Sequence, residues 1–224
     1  MREEKRNLTE LYAADIAWQD WEEMKACLQI MLQEPERIEG GDCEGLRVPL
    51  PGTGLVQRCV LVPRTEYGAV GVVRIEEKML NAWGKTPQQV FQVAEENLNK
   101  NSRPLCIRLT EMIRQMSPIP VDDIMPDLPI LVLTNEKQFL GASVIAIQGL
   151  LQDILKESSL SLFYVVPSSL HEVLLVPGDM YAQPEELEAL LREVNRLEVP
   201  PDQILSDRLL AYSVTEDRLY EVEL

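Results

Sequence analysis

A short segment, residues 165–177 with the sequence VVPSSLHEVLLVP, gathers residue types that hydrolytic chemistry uses. It holds the one histidine of the 224-residue chain, His171, preceded by Ser168 and Ser169 and followed by Glu172. A serine nucleophile needs its hydroxyl within hydrogen-bond reach of an imidazole base, with an acid on the other ring nitrogen. The segment therefore raises the hypothesis of a hydrolase with His171 as base. Its nucleophile is Ser168 or Ser169, and its orienting acid is Glu172 or Asp207.

The spacing of these residues argues against the simplest catalytic arrangement. In an extended strand, Ser169 and His171 point to the same face but lie about 6.5 to 7 Å apart along the chain, and Glu172 points to the opposite face. The segment also lacks a G-x-S-x-G elbow and a glycine-rich run that would supply an oxyanion hole. Catalysis would require a turn that brings a serine closer to the imidazole.

Two other interpretations of the segment stay open. In the first, Pro167 ends a strand, the serine hydroxyls bond the backbone of a turn, and His171 and Glu172 satisfy neighbouring amides. In the second, the same polar side chains are exposed and converge into a recognition surface for a protein partner or a small ligand. Of the three interpretations, we expect the hydrogen-bonded turn.

Metal and cofactor motifs are missing from the sequence. A single histidine cannot supply H-E-x-x-H, so a metal site would need carboxylates such as Glu172 and Asp207 beside His171 and would suit magnesium, calcium or manganese. The chain has neither a phosphate-binding G-x-x-x-x-G-K-[ST] loop nor a glycine-rich turn between a strand and a helix. We predict no resident metal and no cofactor.

The composition sets limits on partners and compartment. The 37 acidic and 21 basic residues give a formal charge of −16, which disfavours nucleic acid and anionic membranes as partners. The four cysteines are far apart in the sequence and are expected to be reduced. The first ten residues lack an apolar run, and none of the later runs reaches the roughly 18 residues of a membrane span, so we expect a cytoplasmic protein.

Apolar spacing predicts the elements of the first half of the chain. Residues 8–33 carry apolar side chains at three- and four-residue intervals, which predicts one amphipathic helix. The segments VQRCVLVPR and AVGVVRI, separated by Thr-Glu-Tyr-Gly, predict a hairpin. A helix is predicted to start at Thr86 as N-cap, with Pro87 at its first position and Gln89 as the reciprocal partner. The proline-rich segment MSPIPVDDIMPDLP is the best linker candidate.

The second half is predicted to continue with paired strands and helices. PILVLTN and GASVIAI form one predicted strand pair, followed by a short helix over residues 150–155. LFYVV and EVLLVP form another pair, and QPEELEALLREVNRL predicts a helix with Leu187, Leu190, Leu191, Val194 and Leu197 on one face. Residues 201–207, PDQILSD, predict a short helical turn, and a hairpin that turns near Glu216 and Asp217 closes the chain.

Strand pairs that alternate with helices predict an α+β fold. Its sheet is expected to be mainly antiparallel and mixed, built from strand-strand-helix units, with the N-terminal helix added and the helices packed on one side. We predict a division into residues 1–120 and 121–224, with one continuous domain as the alternative.

Four phrases of the sequence resemble a known group of proteins. They are VRIEEKMLNAWGKTPQQVFQVAEEN, VLTNEKQFLGAS, YVVPSSLHEVLLVP and LREVNRLEVPPDQILSDRLLAY. Together they resemble an uncharacterised domain of unknown function from Gram-positive bacteria, related to the YtpQ-like family. The resemblance implies no activity, cofactor or partner. It does make a set of positions its motif residues: Asn135, Gly141, Pro167, Ser168, Ser169, His171, Glu172, Asn195, Ser206 and Asp207.

The motif residues outside the PSSLHEV turn have their own two interpretations. Asn135 and Asn195 are candidates for binding residues, or else a turn residue and a helix-end residue. Ser206 and Asp207 would then cap the start of the last hairpin. We expect a non-enzymatic cytoplasmic interaction or regulatory protein, whose partner is a protein or a small ligand. The alternative is a hydrolase that uses the Ser-His-Glu turn at residues 168–172.

Overall fold

The computed structural model describes residues 18–38, 43–65, 68–69, 71–116, 128–180 and 183–224. Contacts divide the chain into two compact units. The first comprises Met1–Ile30, Glu39–Val48 and Arg58–Asn101, and the second comprises Met31–Ile38, Pro49–Gln57 and Ser102–Leu224. The division predicted near residue 120 falls in a segment, residues 117–127, that lies outside the described residues, so it stays a prediction.

The regular elements are numbered in chain order. The helices are α1 Trp21–Lys25, α2 Glu77–Trp83, α3 Pro87–Asn101, α4 Leu109–Met116, α5 Leu150–Leu155 and α6 Pro184–Glu198, with short 3-10 helices at Pro35–Arg37 and Gly141–Ala146. The strands are β1 Leu28–Gln33, β2 Arg47–Pro49, β3 Val56–Leu61, β4 Arg64–Thr65, β5 Gly68–Ala69, β6 Pro104–Arg108, β7 Leu131–Asn135, β8 Leu162–Val166, β9 Val173–Pro177, β10 Leu210–Ser213 and β11 Arg218–Glu221. None of the helices among these described residues is long and apolar enough to cross a membrane.

The prediction of one helix over residues 8–33 is wrong where the structure describes that segment. Residues 1–17 lie outside the described residues. The short helix α1 begins after Asp20, whose carboxylate accepts the amides of Glu22 and Glu23, and it ends at Lys25. Residues 28–33 form strand β1 instead. The apolar run LQIML is buried almost throughout, and such a run is compatible with a buried strand as well as with a helix.

Helix α3 confirms its predicted start and face. The backbone N–H of Gln89 donates to Thr86 Oγ1 at 3.3 Å, and the backbone N–H of Thr86 donates to the side-chain Oε1 of Gln89 at 3.0 Å. This pair of hydrogen bonds is a capping box. Its buried residues are the four on the predicted apolar face: Val90, Phe91, Ala94 and Leu98. The upstream hairpin is confirmed in position, since β4 and β5 pair around the predicted turn and an isolated antiparallel bridge joins Leu61 to Val73. The adjoining strands β1, β3 and β2 form a three-stranded sheet in that order.

The second unit contains a six-stranded sheet of order β11-β10-β8-β9-β7-β6, in which each pair is antiparallel. Together with the helices, this sheet confirms the α+β class. Strands β8 and β9 form a hairpin with Val166 opposite Leu174, so residues 167–172 are its connection. The PSSLHEV segment therefore lies at the end of two central strands.

The central strands of this sheet are buried on both faces. Four consecutive residues of β7 and of β8 are buried, and side chains alternate between faces along a strand, so both faces must be covered. Helix α6 covers one face, where Leu187 and Leu191 pack against Tyr164, Val166 and Val176. That the helices pack on one side stays a prediction.

The predicted strand GASVIAI is also wrong, since residues 141–146 form a 3-10 helix. The chain enters it through Leu140 with φ +51°, and the Ser143 hydroxyl donates to the Leu140 carbonyl at 2.7 Å. Residues 141–145 are all buried, so their apolar pattern does not distinguish a strand from a helix. Strand β7 lies between β9 and β6 in the sheet, and it pairs antiparallel with β6. The sequence analysis does not predict β6.

The last part of the chain confirms most predictions. Helix α6 begins at Pro184 with Glu185 and Glu186 in its first turn, and β10 and β11 form the closing hairpin. Residues 200–203 form a hydrogen-bonded turn rather than a helix. Leu187 and Leu191 are buried as predicted, whereas Leu190, Val194 and Leu197 on the same predicted face are exposed.

Candidate functional site

The turn between β8 and β9 pairs with a second backbone segment. The amides of Leu170 and Ser206 donate to the carbonyls of Gln203 and Pro167 at 2.9 and 3.0 Å, and Ser169 and Ile204 form an isolated bridge. Residues 167–170 and 203–206 thus form a short antiparallel ladder beyond the end of the sheet. This ladder fixes the backbone of residues 167–172, which connect β8 to β9 and which we call the motif turn.

The imidazole of His171 binds the protein's own backbone. Its Nδ1 accepts the Leu140 amide at 3.1 Å, and the ring lies 5.4 Å from that of Phe139. Because Nδ1 is the acceptor, the neutral ring carries its proton on Nε2. The His171 carbonyl also accepts a hydrogen bond, from the Thr134 hydroxyl at 2.6 Å. His171 therefore connects the turn to β7 and to the segment that follows it.

The serine hydroxyls are not directed at this imidazole. Ser169 is buried, and its hydroxyl oxygen accepts the His171 amide at 3.0 Å, which is a local turn contact. Ser168 and Glu172 are half-buried. Within the part of the chain that the structure describes, no hydroxyl or carboxylate hydrogen-bonds to the His171 ring. The structure brings Ser169 and His171 together through a backbone amide only.

Asn135 joins this cluster at the end of β7. Its Nδ2 donates to the Phe139 carbonyl at 2.9 Å, and its Oδ1 accepts the Lys137 amide at 3.0 Å. These bonds close a tight loop that ends at Leu140, the residue bound by His171. The loop leaves no room at Gly141, where a Cβ would lie 2.3 Å from the His171 carbonyl oxygen. Asn135, Gly141 and His171 thus form one hydrogen-bonded junction, which we call the motif junction.

The remaining motif residues meet in a second cluster. Asn195 of α6 is buried and donates to the Ser206 carbonyl and to Asp207 Oδ1, both at 2.9 Å. Asp207 Oδ2 accepts from Arg37 Nη2 at 2.6 Å. The structure therefore places Asp207 with Asn195 and Arg37, and not on the imidazole of His171.

A buried carboxylate that sequence reasoning missed, Glu34, is at the centre of the second cluster. Its Oε1 accepts from the Ser206 hydroxyl at 2.7 Å and from Arg208 Nε at 3.2 Å, and its Oε2 accepts from Arg37 Nε at 2.8 Å. Burial by itself raises the pKa of Glu34, but the hydrogen bonds from Ser206, Arg37 and Arg208 outweigh it and hold the pKa below its ordinary value. We call this set, with Asn195 and Asp207, the Glu34 network.

Glu188 on α6 is a second missed residue, and the sequence did carry a signal for it. It is buried, its Oε2 accepts the Leu209 amide at 3.0 Å, and its Oε1 is ion-paired with Arg192. Glu188 and Asn195 are one heptad apart on the face that Leu187 and Leu191 bury. Polar residues at core positions of a periodic helix indicate buried hydrogen-bonded groups. The sequence carries no comparable indication that Glu34 is buried, because Glu34 follows strand β1, which the apolar spacing predicts to be helix.

A polar groove of about 1050 Å³ lies beside Glu188 and Arg208, lined in part by the C-terminal residues 218–224. Its arginines are already ion-paired: Arg208 with Glu221 at 3.2 Å and Arg218 with Glu216 at 3.2 Å, while Arg192 is paired with Glu188. The groove is therefore of mixed charge. Across the described residues, no three histidine, cysteine or acidic side chains converge as metal ligands.

The fold and these clusters define the class of the protein. It is an α+β protein in which Asn135, Ser169 and His171 hydrogen-bond to backbone groups, while Asp207 hydrogen-bonds to neighbouring side chains. A model described as a family of unknown function (DUF5688) matches residues 55–214, which is more than half of the chain, and the chain belongs to that family. No curated protein and no solved structure matches the chain. The matched range contains the motif junction but not Glu34 or Arg37.

Proposed function

We propose that this chain is a non-enzymatic interaction or regulatory protein of the cytoplasm. The observation that carries the proposal is the bond from the Leu140 amide to His171 Nδ1, because it gives the chain's one imidazole a structural partner. The motif turn then serves to hold the end of the sheet in shape. The four cysteines are in the thiol form, which supports a reducing compartment.

The geometry disfavours the hydrolase alternative. A general base must present an unprotonated nitrogen to the nucleophile. In His171 that nitrogen is Nδ1, and it is occupied by the Leu140 amide, while Nε2 carries the proton. To accept a proton from Ser168 or Ser169, the imidazole would have to give up a backbone hydrogen bond.

Two variants of one residue separate the structural role from the catalytic role. His171→Ala leaves the Leu140 amide without an acceptor, whereas His171→Asn offers Oδ1 near the place of Nδ1 but cannot act as a base at neutral pH. We expect the wild type and both variants to release p-nitrophenol from p-nitrophenyl acetate and p-nitrophenyl phosphate no faster than a heat-denatured sample. We also expect His171→Ala to melt several degrees below His171→Asn.

The opposite result would support the hydrolase. If the wild type turns over either substrate and folded His171→Asn does not, His171 is catalytic and the proposal fails. A further measurement addresses partner binding directly. In a gentle extract of its own cells, the protein should elute from a sizing column as a larger species than the purified chain. Equal elution volumes would count against a stable partner.

The proposal also covers the relatives of the family, the source of the chain and the kind of partner it binds. The phrases PSSLHEV and LSD support a relation to the YtpQ-like family and a Gram-positive bacterial source. The partner is a protein or a small ligand, and neither nucleic acid nor a membrane suits a chain of charge −16. Binding of the purified protein to DNA at low salt would contradict this part of the proposal.

A further inference from the structure

Helix α6 carries an apolar stripe that is exposed in the part of the chain that the structure describes. Leu190, Val194 and Leu197 are 45%, 38% and 58% exposed, although Leu187 and Leu191 on the adjoining face are buried. Their spacing of four and three residues places the exposed side chains in one row along the helix, about 10 Å long at 1.5 Å per residue. We call this row the α6 stripe. An apolar row of this kind is typical of an interaction surface rather than of scattered surface residues.

The α6 stripe continues into an apolar cleft beside the sheet. The cleft has a volume of about 130 Å³, and Leu190 and Val194 form its helix wall. Its sheet wall is formed by Ile130, Leu174 and Val176. A ridge beside a shallow apolar cleft is the shape that receives the apolar face of a partner helix.

The charges along the stripe indicate which partner fits. Glu186 and Glu193 are exposed and one heptad apart, and each lies four residues before an exposed leucine of the stripe, Leu190 or Leu197. Helical geometry therefore places an acidic row along the outer side of the apolar row. Arg192 lies on the other side of the helix, where it is ion-paired with Glu188, whereas Arg196 follows Glu193 by three residues and lies beside the acidic row.

This charge arrangement disfavours a second copy of the chain and favours a basic partner. Two copies joined through the stripe would bring their acidic rows together, in chains that each carry a formal charge of −16. We propose that the α6 stripe docks an amphipathic helix of another protein, in which lysine or arginine flanks an apolar row. The proposal deepens the proposed function and rests on it.

A helical-peptide display library tests the proposal with a defined probe. Each peptide keeps leucine at positions i, i+4 and i+7 and has random residues at the flanking positions, and the full chain is the bait. We expect the selected peptides to be enriched in lysine and arginine at the flanks. A selected peptide should lose at least tenfold in affinity against Leu197→Ser, measured by fluorescence anisotropy.

A charge-reversal variant provides the matched control. Glu186→Lys/Glu193→Lys leaves the apolar row intact and should reverse the preference, so that glutamate-flanked peptides bind better than lysine-flanked ones by tenfold or more. Both positions and Leu197 are exposed, so these variants are expected to fold. Circular dichroism checks this before binding is measured.

Three results would overturn the docking proposal. They are selection of no peptide, selection without a basic preference, and dimerisation of the wild type that Leu197→Ser abolishes in sedimentation equilibrium. None of them depends on the His171 assays or on the elution of the endogenous protein. Failure of the docking site and failure of the proposed function are therefore distinguishable.

Discussion

Replacing Glu34 by glutamine is expected to destabilise the second unit, because Glu34 balances two guanidinium groups while nearly buried. The variant keeps the size of the side chain but replaces one acceptor oxygen by an NH₂ donor. In one orientation this NH₂ group faces Arg37, and in the other it faces Arg208 and Ser206. Removing one partner of a buried ion pair costs roughly 3 to 5 kcal/mol. Here Arg37 keeps Asp207 and Arg208 keeps Glu221, and both arginines are partly exposed. We therefore expect a loss of about 2 kcal/mol.

The assay is urea unfolding followed by circular dichroism at pH 7. Glu36→Gln is the matched control, because Glu36 also approaches Arg208, at 3.8 Å, but its side chain is 73% exposed. The control should change the free energy of unfolding by less than about 0.5 kcal/mol. If Glu34→Gln lies as close to the wild type as Glu36→Gln does, the Glu34 network does not stabilise the fold and the reasoning is refuted.

The pH dependence gives an independent check on the same carboxylate. The folded-state pKa of Glu34 lies below its ordinary value of 4.5. Its stabilising contribution is therefore fully present well above pH 4.5 and is lost as the pH falls through the folded-state pKa. The stability difference between the wild type and Glu34→Gln should shrink as the pH is lowered from 7 towards 3. A difference that stays constant over this range would contradict the low folded-state pKa.

Three further substitutions test single contacts. Gly141→Ala places a Cβ 2.3 Å from the His171 carbonyl oxygen, so we expect a loss of about 3 kcal/mol or a failure to fold, measured by thermal melting. Asn195→Ala removes both hydrogen bonds from Nδ2, including the one to the Ser206 carbonyl, and should cost about 1 to 3 kcal/mol in urea unfolding. Thr86→Ala removes the N-cap of α3 and should cost about 1 kcal/mol, again in urea unfolding.

Each of these predictions has a result that would contradict it. Gly141→Ala melting with the wild type would mean that the motif junction is looser than its contacts indicate. An unchanged Asn195→Ala variant would mean that the cluster around Asp207 tolerates unpaired groups. Thr86→Ser should keep the cap, so equal losses in Thr86→Ala and Thr86→Ser would show that the methyl group and not the hydroxyl matters.

The elements predicted correctly are those with strong local signals. Helices α3 and α6 combine an apolar period near 3.6 with a capping residue or an N-terminal proline. Their starts lie in the segments TPQQV and QPEEL, as predicted. The β8–β9 pair and the closing hairpin were read from β-branched runs and turn residues. These signals lie within one segment, so no distant contact is needed to read them.

Two of the elements predicted wrongly are apolar runs that the protein buries almost throughout. LQIML in residues 28–32 became a strand, and GASVIA in residues 141–146 became a 3-10 helix. A run with few polar residues has no periodicity that separates a helix from a strand, and its partners decide which one forms. Part of the candidate site was missed for a related reason, since Glu34 finds Ser206 across 172 residues.

The sequence alone determined the α+β class, the two long helices and the position of the motif turn, because caps, proline and apolar spacing act locally. It also determined the acidic charge of the chain and the apolar residues of the α6 stripe. Only the tertiary structure decided what the polar motif residues do. Packing joined His171 to the Leu140 amide and Asp207 to Arg37 and Asn195. A hydrogen bond between distant segments depends on where the fold places them, and local sequence does not encode that placement.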